Sequence, residues 1–273
     1  MSIRLIALDL DGTLLDSAKH VSVRNRAALR QAMDRGIRIV IASGRPKSAL
    51  PQEVLEIEGI SYAITSNGSS IFHLPDMKRI YANDIDSASI RKLLPLIEGA
   101  DFPCEAAIGG RCYTPRAYFE DPTLFGIPVH MREYVQATRT PIDDMYAFIR
   151  DHSCEIEGIF MLIADQALKE RTRRQVAQAG DLYITASTPY YLEIADGSVS
   201  KAAALDFLTD RLGTSREETA AFGDSLNDLE LIEYAGAGIA MGNASDQLKA
   251  SAQFVTLSND QDGVAEFIEN NCL

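Results

Sequence analysis

The sequence predicts an α/β fold in which a doubly wound parallel sheet forms the core and a second, α+β domain is inserted into it. At both ends of the chain, short and almost continuous apolar runs alternate with amphipathic segments, as expected for strand–helix–strand units whose sheet is buried on both faces. In the middle of the chain the strand-like runs come in pairs, which is typical of an antiparallel sheet. We therefore expect a discontinuous core domain over residues 1–84 and 190–273, and an inserted domain over residues 85–189.

The first part of the core is predicted to contain three strands joined by helices. The strands are residues 3–8, 37–42 and 62–65. One helix, over 23–35, follows Ser22, which is a good N-cap, and ends at Gly36; a second helix ends near residue 55. Short connections of this kind favour right-handed crossovers and a parallel sheet.

The inserted domain mixes helices with paired strands. Helices are predicted at 87–97, 141–150 and 165–179. Strands are predicted at 104–107, 111–114, 157–163, 182–187 and 190–194, the last two separated by Thr188-Pro189. This order indicates an antiparallel sheet covered by helices.

The second part of the core resumes the alternation of strands and helices. A helix over 201–211 begins after Ser200 and ends at Gly213, and Thr214 and Glu217 have the spacing of a capping box for the next short helix. Further strands are predicted at 220–222, 237–241 and 254–256, and further helices at 228–234 and 245–252.

Composition excludes several classes of protein. The chain has 273 residues and a net charge of −13, which argues against a surface for nucleic acid or anionic membrane. No apolar run approaches the length of a membrane-spanning helix. The four cysteines and four histidines have no metal-ligand spacing, so we assign them to structure and expect free thiols in a cytoplasmic protein. We expect a monomer or homodimer.

Two carboxylates, Asp9 and Asp11, directly follow the first predicted strand. Residues i and i+2 of an extended chain point the same way, so both side chains can face one site. Two close anions repel each other unless a cation neutralises them, and Mg²⁺ is the usual partner of carboxylates. The same Asp-x-Asp-Gly string recurs at 260–263, where it is predicted to be a loop that caps the last helix, so the string alone is weak support for a site.

Other polar residues fall at strand ends or helix starts of the predicted core. They are Ser43, Gly44, Lys201, Asp224 and Asn227. Ligands of open parallel sheets bind beyond the carboxyl ends of the strands, so these residues should converge there. A hydroxyl, backbone N–H groups at a helix start and an ammonium suit phosphate, and a further carboxylate suits a metal.

In this order along the chain, these residues resemble the four motifs of the haloacid dehalogenase superfamily of phosphohydrolases, whose core is Rossmann-like. The insertion between Ser43 and Lys201 resembles the Cof-type subfamily, which carries a type IIB cap that determines substrate choice. Residues 190–194 and 259–264 also resemble Cof-type sugar phosphatases. The sequence departs from that pattern at Ala202, where Cof-type proteins usually have glycine, and this difference bears on the fit of the substrate and not on catalysis.

The resemblance implies a Mg²⁺-dependent phosphatase acting on small phosphorylated metabolites, with sugar phosphates as the expected substrates. It implies that Asp9 attacks phosphorus to give an aspartyl-phosphate, and that Asp11 serves as general acid and then general base. The metal would be held by Asp9, Asp224 and the backbone carbonyl of Asp11. The implied phosphate-binding residues are Leu10, Ser43, Gly44, Lys201 and Asn227, supported by Asp228 and Asn67.

Alternatives remain open at this point. A phosphosugar mutase would share Asp9 and Asp11 but return the phosphoryl group to substrate, and a non-catalytic sugar-phosphate-binding regulator would lack turnover. A signalling receiver module also uses paired acids and a lysine, but it is about half this length. Neither GxxxxGK[ST] nor GxGxxG follows a strand, which argues against a kinase and against a dinucleotide-binding protein.

Overall fold

The computed structural model describes residues 2–129, 131–186 and 190–273. The chain divides into two compact units. We call the first the core unit; it comprises Met1–Gly44, Leu50–Tyr81 and Ser200–Leu273. We call the second the inserted unit; it comprises Arg45–Ala49 and Ala82–Val199.

The strands and helices are numbered along the chain. The strands are β1 Leu5–Leu8, β2 Arg38–Ala42, β3 Tyr62–Thr65, β4 Ser70–His73, β5 Lys78–Ala82, β6 Cys104–Ile108, β7 Arg111–Pro115, β8 Arg139–Ile142, β9 Ile156–Leu162, β10 Leu182–Thr185, β11 Tyr191–Asp196, β12 Thr219–Gly223, β13 Ala237–Ala240 and β14 Phe254–Val255. The helices are α1 Val23–Asp34, α2 Gln52–Leu55, α3 Ser87–Ile97, α4 Arg116–Glu120, α5 Met131–Thr138, α6 Met145–Asp151, α7 Gln166–Val176, α8 Lys201–Leu212, α9 Leu229–Tyr234, α10 Asp246–Ser251 and α11 Gly263–Asn271.

The core unit is built on a sheet with the strand order β14-β13-β12-β1-β2-β3-β4-β5. Strand β1 pairs in parallel with β2 on one side and with β12 on the other. The chain proceeds outward from β1 in one direction and later from β12 in the other, so the strand order reverses beside β1. This reversal is the topological switch point at which open α/β sheets bind ligands.

Both faces of this sheet are covered, which explains the continuous apolar run in β1. Leu5 and Ala7 lie in an apolar cluster with residues of α8. Ile6 and Leu8 lie in another cluster, on the opposite face, with residues of α1 and α11. All four side chains are fully buried, as expected for a central strand of a doubly wound sheet.

Two predicted serine caps of the core unit are formed, whereas the capping box predicted after α8 is not. The Ser22 and Ser200 hydroxyls each accept a backbone N–H three residues later, at 3.0 Å. Gly213 ends α8 in the left-handed conformation. The predicted capping box at Thr214 and Glu217 is wrong, because the box is formed one residue later, by Ser215 and Glu218.

The inserted unit contains a sheet with the strand order β10-β11-β9-β6-β7-β8. The pairs β10–β11, β11–β9, β9–β6 and β6–β7 are antiparallel, whereas β7–β8 is parallel. Apolar residues of α3, α6 and α7 cover one face of this sheet and form its main apolar cluster. No helix among the described residues has the length and hydropathy needed to cross a membrane.

The structure corrects the expected boundaries between the units. Strand β11 pairs with β9 and β10, so the segment from residue 190 to Val199 belongs to the inserted unit and not to the core. Arg45–Ala49 also groups with the inserted unit, because the Ser48 N–H donates to the Gly110 carbonyl at 2.7 Å and the Ser48 hydroxyl accepts from the Cys112 N–H at 3.1 Å.

Some elements also differ from the predictions. The predicted helix over 141–150 is in part strand β8, and α6 begins only at Met145, where the Asp144 side chain caps it. Strands β4 and β5 were not predicted; they extend the core sheet beyond β3. The predicted strand over 182–187 ends at Thr185, and Ser187 lies outside the described residues.

Candidate functional site

A buried lysine lies at the carboxyl end of β1. The Lys201 ammonium donates to Asp9 Oδ1 at 2.7 Å and to Asp228 Oδ1 at 2.6 Å. Lys201 is 1% exposed, although it begins α8, where a positive charge is unfavourable in the helix dipole. Two carboxylates at hydrogen-bond distance compensate for that placement.

The loop after β12 adds a further carboxylate to this group. Asp228 Oδ2 accepts the backbone N–H groups of Asp224 and Ser225, each at 3.1 Å, which fixes the turn that carries Asp224. A side chain at Gly12 would collide with this carboxylate, because a Cβ there would lie 2.2 Å from Asp224 Oδ2. The glycine of the first Asp-x-Asp-Gly string therefore lets the β1 loop lie against Asp224.

The negative charge of this group exceeds its positive charge. Burial raises the pKa of Asp9 well above its ordinary value; Lys201 opposes the shift, and Asp228 and Asp224 add to it. Burial, with repulsion from Asp228, raises the pKa of Asp224 to about 6. The pKa of Lys201 is also raised, because attraction to Asp228 and Asp9 outweighs the cost of burying the ammonium. A further cation near Asp9 and Asp224 would favour their charged forms.

A second group of predicted residues is joined through Asn67. The Asn227 amide donates to Asn67 Oδ1 at 3.0 Å, and the Asn67 N–H donates to the Ser43 carbonyl at 3.2 Å. A Cβ at Gly44 would lie 2.9 Å from Asn67 Oδ1. Asn67 itself has φ +58°, a left-handed conformation that asparagine tolerates better than most residues. The ends of β2 and β3 and the loop after β12 thus meet here.

Asp11 is more exposed than the carboxylates of Asp9 and Asp228. Its Oδ1 accepts a hydrogen bond from Lys19 Nζ at 2.9 Å, and the side chains of the two residues are 39% and 59% exposed. Its exposure suits a group that exchanges protons with substrate and water. Lys19 was not singled out in the sequence, because a lysine in a polar loop carries no signal of its own.

The acidic residues fit a divalent cation. Oxygens of Asp9, Asp224 and Asp228 lie within 4.8 Å of one another. Asp228 already accepts from Lys201 and from two backbone N–H groups, so Asp9 and Asp224 are the carboxylates suited to bind the ion. With Asp11 included, four carboxylates face the ammonium groups of Lys201 and Lys19, and a hard divalent cation would balance the excess.

The second Asp-x-Asp-Gly string lies against the loop of the first. Asp260 accepts the Ser17 N–H and the Ser17 hydroxyl, each at 2.7 Å, and its neighbour Asn259 donates to the Leu15 carbonyl at 2.9 Å. The predicted capping of the last helix is not made by a side chain of this string, since Asp262 forms no side-chain cap bond.

Asn243 is a further residue of this region that the sequence reasoning missed. It donates to the Gly12 carbonyl at 2.8 Å and lies 3.5 Å from Asp224 Oδ2. Asn243 follows β13 at its carboxyl end, so the strand-end rule that identified Ser43 and Asp224 would have found it too.

Comparisons with known proteins identify the family of this chain. The family model for haloacid dehalogenase-like hydrolases matches residues 6–268. Phosphatase YwpJ of Bacillus subtilis is 32% identical over 98% of this chain and 99% of its own length. The 5-amino-6-(5-phospho-D-ribitylamino)uracil phosphatase YcsE of Bacillus subtilis is 31% identical over 99% of this chain and 96% of its own. The fold is similar to that of a solved subclass IIB sugar phosphatase of the haloacid dehalogenase superfamily, with a TM-score of 0.84, 22% identity, and 98% of each chain covered.

Proposed function

The chain belongs to the haloacid dehalogenase-like hydrolase family and is a phosphoric monoester hydrolase of small phosphorylated metabolites; we propose that it hydrolyses sugar phosphates through an aspartyl-phosphate, with Mg²⁺ as cofactor. The observation that carries this proposal is the bridge from Lys201 to Asp9 and Asp228 at the carboxyl end of β1, with Asp224 beside it. This arrangement supports a carboxylate nucleophile whose surroundings can hold both a metal and a phosphate.

In the first step, an oxygen of Asp9 attacks phosphorus as the bond from phosphorus to the leaving oxygen breaks. Asp11 donates a proton to that oxygen. In the second step, Asp11 takes a proton from water, the water oxygen bonds to phosphorus, and the Asp9 carboxylate is released. Lys201 stabilises negative charge on the phosphoryl oxygens in both steps.

The remaining roles are proposed from the resemblance to the family. Asp9, Asp224 and the Asp11 carbonyl would hold Mg²⁺, which would supply charge neutralisation at the transferring phosphoryl group. The phosphate is bound by the N–H groups of Leu10 and Gly44 and by the Ser43, Lys201 and Asn227 side chains. Asp228 orients Lys201, and Asn67 orients Asn227, in agreement with their hydrogen bonds.

The choice of sugar phosphates is supported by the fold alone. The subclass IIB structure that shares this fold is described as a sugar phosphatase. We assign substrate choice to the inserted unit and chemistry to the core unit. A panel of phosphorylated metabolites tests this, since sugar phosphates should give the highest kcat/KM for release of free phosphate. Formation of an isomerised sugar phosphate instead would indicate a mutase.

The aspartyl-phosphate has a direct test in the Asp11→Asn variant. p-Nitrophenolate is a good leaving group that needs no general acid, so phosphorylation of Asp9 should proceed while hydrolysis of the intermediate is slowed. We expect a burst of p-nitrophenolate equal to the enzyme concentration, and a phosphoprotein in the quenched sample. Slow release without a burst or phosphoprotein would contradict the covalent step.

A further inference from the structure

The second Asp-x-Asp-Gly string takes no part in the chemistry above, yet it contacts the loop that carries Asp9 and Asp11. We propose that the segment 259–263, together with Asn243, is a clasp that positions this catalytic loop. The inference rests on the proposed function, because it assigns these residues a role in aligning the nucleophile. They act through the loop and touch no reacting atom, so they are positioning residues.

The clasp is a continuous chain of hydrogen bonds between two amide side chains and the loop. Asn243 Nδ2 donates to the Gly12 carbonyl at 2.8 Å, and Asn243 Oδ1 accepts the Asn259 N–H at 3.0 Å. The Asn259 side chain is buried and donates to the Leu15 carbonyl at 2.9 Å. Both ends of the turn after Asp11 are therefore held by the same pair of asparagines.

Asp260 extends the clasp one turn further along the loop. Its two oxygens accept the N–H and the hydroxyl of Ser17 separately, each at 2.7 Å. Ser17 follows the turn that Asn243 and Asn259 hold. The carboxylate offers one oxygen to each of the two donors, which gives the first aspartate of the second string a function different from that of Asp9.

Two glycines allow the backbone segments that form the clasp to pack closely. A Cβ at Gly263, the last residue of the second string, would lie 2.1 Å from the Leu257 carbonyl oxygen. A Cβ at Gly242, next to Asn243, would lie 2.7 Å from the Ser258 backbone nitrogen. A side chain at Gly242 would push the loop after β13 away from the C-terminal segment, and a side chain at Gly263 would collide with the backbone of the C-terminal segment itself.

The consequence for catalysis follows from the geometry of the loop itself. The Leu14 N–H donates to the Asp9 carbonyl at 3.3 Å, and the Leu15 N–H donates to the Leu10 carbonyl at 2.9 Å. A shift of Leu15 is thus transmitted to the nucleophile, and a misplacement of about 1 Å at a reacting group can cost about 100-fold in rate. Asn243 also lies beside Asp224, so it links the loop to the proposed metal ligand.

The test compares Asn243→Ala, Asn259→Ala, their double variant and Asp260→Ala with the matched control Asn270→Ala. Asn270 is an exposed asparagine of the same C-terminal segment, and its amide donates to the carbonyl and the carboxylate of Glu266 within α11. With p-nitrophenyl phosphate and saturating Mg²⁺, we expect kcat to fall about 10- to 100-fold in the two asparagine variants, with KM changed less than about 3-fold. A role in stability alone would lower Tm and leave the kcat of the folded protein unchanged, which would overturn the clasp.

The double variant adds a stricter criterion. Because Asn243 and Asn259 act through one chain of hydrogen bonds, the loss of activity in the double variant should be well below the product of the two single losses. Losses that multiply would show two independent effects and would overturn the proposal.

A second readout does not depend on turnover. Amide hydrogen exchange at Leu15 and Ser17 should become faster in Asn259→Ala and Asp260→Ala, and stay unchanged in Asn270→Ala. Asp260 is exposed, so its variant folds even where the asparagine variants do not. If the unmodified protein releases no phosphate, the proposed function fails; if exchange at Ser17 is unchanged in Asp260→Ala, the clasp fails.

Discussion

Each unit of this molecule buries a cation, and the two surroundings differ in their balance of charge. In the core unit, Lys201 lies between Asp9 and Asp228, and Asp224 lies beside them. In the inserted unit, Arg139 faces one carboxylate, Glu105, with nitrogen–oxygen distances of 3.2 and 3.3 Å.

The Arg139–Glu105 ion pair is buried and carries no net charge. The side chains of Arg139 and Glu105 are 5% and 0% exposed, and Arg139 also donates to the Tyr191 hydroxyl at 3.1 Å and lies over the Tyr134 ring. One positive charge meets one negative charge, and the donors have acceptors, as a structural ion pair requires.

The group around Lys201 has an excess of negative charge, and some of its carboxylates are partly exposed. Its carboxylates outnumber its cation, and Asp11 and Asp224 are partly exposed. An excess of charge in a buried group costs stability and is retained where a ligand is to be bound. The charge balance around a buried cation, and not its burial, therefore separates the proposed functional site from the structural ion pair in this molecule.

The largest expected effect is on turnover in the Asp9→Asn variant. We expect phosphate release to fall at least about 10³-fold, because the amide cannot act as nucleophile. The Tm measured in chelator should not fall, since the ionised Asp9 carboxylate is disfavoured by burial and by its neighbours. Asp34→Asn, at the end of α1, serves as the control for loss of one acid. Retained turnover in Asp9→Asn would remove Asp9 as nucleophile.

Removing the metal should affect the group around Lys201 and leave the Arg139–Glu105 pair unaffected. EDTA should abolish turnover, and Mg²⁺ should restore it and raise Tm, because an ion that binds the folded state alone stabilises it. The Tm increase should be absent in Asp224→Asn and present in Glu105→Gln. Differential scanning fluorimetry with and without Mg²⁺ measures this, and turnover that survives chelation would contradict the metal's role.

Breaking the ion pair between Arg139 and Glu105 should lower the free energy of unfolding. Arg139→Met leaves Glu105 buried without its cation, so we expect a loss of about 3–5 kcal/mol in the free energy of unfolding of the inserted unit. Replacing both residues with apolar ones should recover most of it. Arg150→Met, which breaks the exposed pair with Glu98, should cost less than about 1 kcal/mol.

Urea unfolding followed by circular dichroism measures these differences. Equal costs for the buried and the exposed pair would show that the charge balance around Arg139 has no structural role.

The smallest effect concerns a thiol beside the arginine pair. Burial raises the pKa of Cys112 far above its ordinary value and that of Cys104 to about 12, whereas Cys154 is exposed. A thiol-reactive disulfide at mildly alkaline pH should therefore modify Cys154 rapidly and the two buried thiols only after unfolding. Arg139→Met should make Cys112 react faster. Rapid labelling of Cys112 in the unmodified protein would show that the pair is not enclosed.

Much of the site could be predicted from local sequence. A polar residue that directly follows a buried parallel strand must lie at the carboxyl ends of the strands. This rule is sufficient to identify Asp9, Ser43 and Asp224. Serine N-caps at helix starts, such as Ser200, were also predictable, because capping depends on residues only three positions apart.

Side-chain pairs outside a single turn or cap could not be predicted in this way. The pairing of Lys19 with Asp11, within one loop, and of Arg139 with Glu105, between two segments, gives no local signal, since each of these residues is ordinary in its own surroundings. The boundary at residue 190 was wrong for the same reason: the choice of β9 as partner for β11 depends on the whole sheet.

Local sequence was enough to establish the α/β class, the strands of the core and the residues at their ends, because periodicity and capping depend on neighbours along the chain. Which charges are balanced and which are in excess, and what the second Asp-x-Asp-Gly string contacts, were decided only by tertiary structure. Those outcomes depend on the neighbours that folding brings to each group. The same four-residue pattern therefore lies beside the buried lysine group after β1, and near the C-terminus it contacts the loop of the first copy.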